Sequence, residues 1–256
     1  MIASLPMYWR EENARSWCDF WSCVQSAGRR HGLDLPDLTP PDAIPEPWSD
    51  HWLRDDLALS MTCGLPFRTV LKDRVTYVGT LGFGLNCKPG HYYSRVLRRL
   101  VRNNPHDVTG IDGLRLAYNS SDSQSGWAAS QGGTPFFRVP TYSAFVKTGS
   151  HAGSLDAVAQ GHADIAFVDA VTWRLLKRFE PASAKVHVAD HTAATPGLPL
   201  IATRGTNPAP LRAALLDAVV DFVPQGDPFE MGGPLSFHVL DPQRYFDLPI
   251  PAPAPA

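Results

Sequence analysis

Apolar positions along this chain switch repeatedly between two periods. Trp17, Phe20, Trp21, Val24 and Ala27 recur at helical spacing within Glu11–His31, and Gly32 is a fitting stop. Leu114, Leu116 and Tyr118 alternate with their neighbours, which is the period of a strand. The same reading gives strands at Ile2–Tyr8, Leu57–Thr62, Val75–Gly79, Ser143–Thr148, Ala163–Val168, Lys185–Ala189 and Pro199–Thr203. It gives helices near Phe67–Lys72, Ser154–Gln160, Val171–Phe179 and Pro208–Val223, with a helical turn in His51–Asp56. Tyr92–Arg102 fits either period and is read as a strand with a solvated basic edge at Arg98, Arg99 and Arg102. Strands alternating with helices predict an α/β fold with a mainly parallel sheet.

Ligands of such sheets sit at the carboxyl ends of strands. Tyr8, Thr62, Ser121–Ser125, Ser150-His151 and Asp169 all fall at such ends. The richest of these is Leu114–Ser125, LRLAYNSSDSQS, where a strand runs into hydroxyls and then into Trp127-Ala128-Ala129, a helix expected to reach about Gln131. Ser121 with Gln124 fits a capping box, and Asp122 or Ser123 fits a cap equally well. The free amides of a first helical turn, the positive end of the helix dipole and rotating hydroxyls together favour an anion.

Composition narrows the class. The chain has 256 residues, 44% of them hydrophobic, and a net charge of −2, enough for a sizeable core and without the basic stripe of a nucleic-acid binder. Prolines cluster in Leu35–Pro47, a short segment falls at Pro135–Pro140, and the tail Pro249–Ala256 reads as extended and mobile. The four cysteines form no C-x-x-C pair, which leaves a zinc or thioredoxin reading weak. Cys18 and Cys23 share the first helix and read as partly buried thiols; a disulfide is left open. No apolar run reaches the ~20 residues of a membrane span. Met1 leads within one residue into Ile2–Tyr8 with no basic segment or cleavage site, so the encoded chain reads as cytoplasmic, or periplasmic if a leader precedes it.

Several runs together resemble a known family. They are SLPMY at Ser4–Tyr8, LSMTCGLP at Leu59–Pro66, YNSSDSQSG at Tyr118–Gly126, TGSHAGSLDAVAQGHADIAFVDAVTW at Thr148–Trp173 and PGLP at Pro196–Pro199. This combination resembles the PhnD-like phosphonate-binding group, substrate-binding proteins of ABC transporters in the type 2 periplasmic-binding fold. The resemblance implies two α/β lobes, 1–93 plus 203–256 and 94–202, with hinge strands near 92–96 and 200–204 and a ligand cleft between the lobes. It implies a monomeric binding protein without catalysis or cofactor, which delivers a phosphonate, phosphite or phosphate to a permease. Matched to the family's pattern, Ser121, Ser123 and Ser125 grip the anion, and Tyr8, Thr62, Tyr93, His151 and Asp169 line the cleft. Asp122, among the serines, departs from the pattern and is carried with them as a ligand-facing residue.

The chemistry follows from desolvation. A tetrahedral oxyanion leaving water must regain its hydrogen bonds from the protein, and amides and hydroxyls supply them. His151 adds a donor expected to change charge near neutral pH. Asp122 and Asp169 accept from a P–OH but repel a fully deprotonated anion, so the site is expected to prefer protonated phosphorus oxyanions over sulfate. Each residue also has a plainer role: His151 and Asp169 as helix caps, Tyr8 and Tyr93 as core aromatics, Thr62 as a turn residue. Two other classes compete with a transport protein. One is a cytoplasmic sensor of the same fold. The other is an enzyme using Cys63 and His151, for which no third orienting group is evident.

Overall fold

The computed structural model describes residues 1–100, 113–132, 134, 141–227 and 229–255. The expected segment Pro135–Pro140 and the end of the basic run at Arg102 lie outside the described residues. In chain order the elements begin β1 (Ile2–Ser4), α1 (Ala14–Arg30), α2 (Trp48–Trp52), β2 (Leu57–Met61), α3 (Gly64–Arg68), β3 (Val75–Gly82), β4 (His91–Tyr92) and β5 (Ser94–Arg99). They continue β6 (Leu114–Tyr118), β7 (Tyr142–Lys147), α4 (His151–Gln160), β8 (Ile165–Asp169), α5 (Ala170–Phe179) and β9 (Val186–His191). The chain ends with β10 (Thr195–Pro196), β11 (Pro199–Thr203), α6 (Ala209–Asp221), β12 (Ser236–His238) and α7 (Gln243–Phe246). No helix among the described residues is long and apolar enough to cross a membrane.

Two compact units result: Met1–His91 with Pro196–Leu248, and Tyr92–Thr195 with Pro249–Ala256. The return falls before Pro199–Thr203 rather than within it, because that segment is an interior strand of the first unit's sheet. The proline-rich tail is held on the second unit by named hydrogen bonds described below, rather than trailing free.

The first unit's sheet has the order β1-β2-β11-β3-β12, and the second unit's main sheet β7-β6-β8-β5-β9. Parallel pairing holds for β1 with β2 and for β6 with both β7 and β8. The strands that enter each unit after a crossing, β5 and β11, run antiparallel to both neighbours. Both sheets are therefore mixed, and the parallel bias expected from alternation applies only where a strand returns through its own crossover. The expected strand Ile2–Tyr8 stops at Ser4, and Pro6–Tyr8 is a 3-10 turn, since Pro6 has a fixed φ and no N–H for a ladder.

The second unit shows why its strands read as apolar runs. In β6 and β8, Leu116, Tyr118, Ile165 and Phe167 face one buried cluster with Trp127, while Ala117, Ala166 and Val168 face another with Leu155, Val158 and Trp173. A sheet covered on both faces has no polar side to show. In the first unit α1 packs on α6 and buries Trp17, Phe20, Trp21 and Val24. None of the four cysteines is in a disulfide; Cys18 is exposed rather than partly buried, Cys23 is half-buried and Cys63 is buried.

Candidate functional site

The serine run after β6 does not open a regular α-helix. Gln124–Ala128 forms a single π-helical turn, continued by only two α-helical residues, Ala129 and Ser130. Ser123 is its cap, its Oγ accepting from the Gly126 amide at 2.9 Å. The wide turn is closed by Ala128 N–H to the Ser123 carbonyl at 2.9 Å. So short an element carries little dipole, and what the turn presents is individual amides and hydroxyls.

Gly126 has no room for a side chain. A Cβ there would lie 1.9 Å from Asn119 Oδ1. Asn119 Oδ1 is itself buried and makes no hydrogen bond.

The structure joins several expected residues in the second unit. Ser125 Oγ shares a hydrogen bond of 2.9 Å with His151 Nε2. His151 is the first residue of α4, whose cap is Ser150, accepting from Gly153 N. His151 as a residue keeps some surface, but its Nδ1 is shut off from solvent and has no partner. Burial pushes its pKa down to about 4. The positive end of α4 acts in the same direction. His151 is thus neutral at physiological pH, and the expected change of charge near pH 7 does not occur in this environment.

Asp169 is buried at the end of β8 and caps α5, its Oδ1 accepting from Val171 N at 2.7 Å and Thr172 N at 3.1 Å. Tyr93 lies alongside: its carbonyl accepts from Ala170 N at 3.0 Å, and its ring meets His191 with centroids 5.4 Å apart and lies under the Arg95 guanidinium. Ser121 and Asp122 are exposed, and the Asp122 carboxylate accepts from Ser120 Oγ.

In the first unit, Tyr8 is buried edge-on against Phe83, with centroids 4.8 Å apart. Thr62 is fully buried; its amide donates to the Pro199 carbonyl at 2.9 Å, and its Oγ1 has no partner. A buried hydroxyl without a partner costs stability unless something else satisfies it.

Sequence reasoning missed Ser94. This buried residue pairs with Asp169 across β5 and β8, and its Oγ donates to the Ser125 carbonyl at 2.8 Å. Its amide in turn donates to Thr192 Oγ1 at 2.9 Å. The available signal was a small polar residue beginning an otherwise apolar-and-arginine strand.

A family profile described as the periplasmic, phosphonate substrate-binding protein of an ABC transporter matches residues 98–230, more than half of the chain. The chain belongs to that family. The family's proteins are transport components that bind substrate, and the serine turn, His151 and Asp169 all lie inside the matched region. No curated protein matches the chain in sequence.

Solved structures share the fold at low identity. XAC2383 from Xanthomonas citri, bound to chloride ion, is 16% identical over 96% of this chain and 95% of its own, with a TM-score of 0.66. PhnD1 from Prochlorococcus marinus, in complex with methylphosphonate, is 12% identical over 95% and 94%, with a TM-score of 0.65. ArtJ, the arginine-, lysine-, histidine-binding protein from Geobacillus stearothermophilus, is 11% identical over 86% and 90%, with a TM-score of 0.55. The fold is therefore the two-lobed type 2 periplasmic-binding-protein fold.

Proposed function

We propose that this protein captures a small phosphorus oxyanion, a phosphonate, phosphite or phosphate, and passes it to an ABC transporter permease. The observation that carries the reading is the part-buried Ser125–His151 pair beside the Ser123-capped turn, within the segment matched by the family profile. Its bonded members are hydroxyls, amides and a neutral imidazole. Such groups solvate an anion by directed hydrogen bonds rather than by net charge. The match of PhnD1, solved with methylphosphonate, supports the ligand class.

Ser121, Ser123 and Ser125 are the proposed grip, with His151 and Tyr93 beside them. Asp169 acts through the cap that fixes the end of β8. Asp122 stands at the exposed lip of the turn, where it tolerates a protonated oxyanion and repels a dianion. His151 Nδ1, as donor or acceptor, also finds a partner in a group that carries both P–O and P–OH. The site is therefore proposed to favour protonated phosphorus oxyanions over sulfate.

The test is a thermal-shift and calorimetric panel of methylphosphonate, phosphite, phosphate and sulfate near neutral pH. Phosphorus oxyanions are expected to raise Tm in a concentration-dependent way. Ser125→Ala and His151→Gln are each expected to weaken binding about tenfold or more, the loss of a hydrogen bond to a charged ligand. Thr62→Val and Tyr8→Phe test the first unit's residues for a ligand contact. Sulfate binding as tightly as phosphite and methylphosphonate would sink the proposed selectivity, and unchanged affinity in both Ser125→Ala and His151→Gln would sink the site.

A further inference from the structure

The tail from Pro249 alternates proline with small or aliphatic residues, Pro249-Ile250-Pro251-Ala252-Pro253-Ala254-Pro255. Such a sequence favours the polyproline II helix, which has three residues per turn and leaves its carbonyls open. The second unit contacts it with that period. Trp127 Nε1 donates to the Ala252 carbonyl at 2.7 Å, and Tyr118 OH donates to the Pro255 carbonyl at 3.3 Å, three residues on. Pro251 and Ala254, also three apart, are half-buried, whereas Ala252, Pro253 and Pro255 are exposed. Ala254 packs on the cluster that contains Tyr118 and Trp127.

The receiving surface is aromatic. Tyr118 and Trp127 lie with centroids 5.2 Å apart, and Phe145 meets the Trp127 ring edge-on at 5.7 Å. Aromatic rings that lie along a proline-rich strand and donate to its carbonyls are the chemistry by which proline-rich segments are read in general. Here the reader and the segment are in one chain.

We infer that Tyr118 and Trp127 form a polyproline-reading groove, that the chain's own residues 251–255 fill it, and that this docking holds the π turn. The last part rests on the oxyanion reading of the serine turn; the first two do not. The link is Trp127 itself, which is a residue of the Gln124–Ala128 turn and is almost fully buried. A tail bonded to the indole fixes the back of the turn whose front carries Ser123 and Ser125.

The experiment uses the chain ended at Leu248 and a synthetic peptide, acetyl-PIPAPAPA. The peptide is expected to bind the shortened chain saturably and to shift the Trp127 indole N–H resonance. The full chain, whose groove is filled, is expected to bind it at least tenfold more weakly. A peptide with glycine at the three positions of Pro251, Pro253 and Pro255 is expected to bind about tenfold more weakly, because it must lose more chain freedom on docking. Equal binding of the glycine peptide, or no binding to a folded shortened chain, overturns the groove.

If the shortened chain fails to fold, the full chain answers through hydrogen exchange of the Trp127 indole. Pro251→Gly with Pro253→Gly is expected to speed that exchange at least tenfold, and unchanged exchange overturns the groove. Methylphosphonate affinity then tests the link to the turn: it is expected to fall on shortening and to recover with added peptide. Peptide binding with unaltered phosphonate affinity retains the groove and refutes the link. Absence of methylphosphonate, phosphite and phosphate binding by the full chain refutes the oxyanion reading alone.

Discussion

Acid is expected to weaken this fold through His151. In the unfolded chain its imidazole titrates near the ordinary 6.5, whereas burial in the fold holds it to about 4. Between those values the unfolded chain takes up a proton that the folded chain refuses. The contribution of neutral His151 is therefore complete above pH 6.5 and is lost as the pH falls toward 4. At about 1.4 kcal/mol for each tenfold, the gap amounts to ~3 kcal/mol, or roughly 6–12 °C in Tm for a chain of this size. His51 and His238 are also pushed down, first by burial, so the native protein alone does not isolate the effect. His151→Gln cannot titrate. Tm measured from pH 8 to pH 4 for both proteins is expected to show the native protein losing ground to the variant by that amount below pH 6.5. A difference that stays flat with pH, or a His151 ring resonance titrating near 6.5 in the folded unliganded protein, refutes the reasoning.

Other expectations follow from single contacts. Gly126→Ala sets a methyl against Asn119 Oδ1 and is expected to cost roughly 1–3 kcal/mol by urea unfolding, with partial relief when Asn119→Ala is added. Asp169→Ala removes both bonds that cap α5 and is expected to cost about 1–2 kcal/mol, whereas Asp169→Asn retains an acceptor and costs less in the same assay. The Arg115 guanidinium grips Asp164 with two bonds, at 3.0 and 2.8 Å, but both side chains are only partly buried, 42% and 35% exposed. Asp164→Ala is accordingly expected to cost only about 1 kcal/mol, and less as salt is raised during thermal unfolding.

The parts of this fold legible in sequence are those where a local pattern has one solution. The apolar run before Asp169 reads as a strand, and a cap of the helix that follows is one of the two roles the sequence offers Asp169. The direction of β5 and β11 was not legible, because no local pattern marks a strand that enters from another unit. Ser236–His238 is too short to show a period. The serine run announced a turn but not its π form, which depends on the close approach of Gly126 and Asn119. His151 was legible as a candidate, and its loss of charge was not, since burial is decided by what the rest of the chain lays over the ring. The tail read as free because its two donors, Tyr118 and Trp127, lie more than a hundred residues earlier.

The order β1-β2-β11-β3-β12 bears on how the chain is made. While the first 91 residues leave the ribosome, β2 and β3 have no strand to lie between them, and their facing edges stay open until Pro199–Thr203 is synthesised. Residues 92–195 carry every strand of the other main sheet and are complete before that point. The sheet begun first is therefore closed last, and its unpaired edges are where a nascent chain has most need of protection.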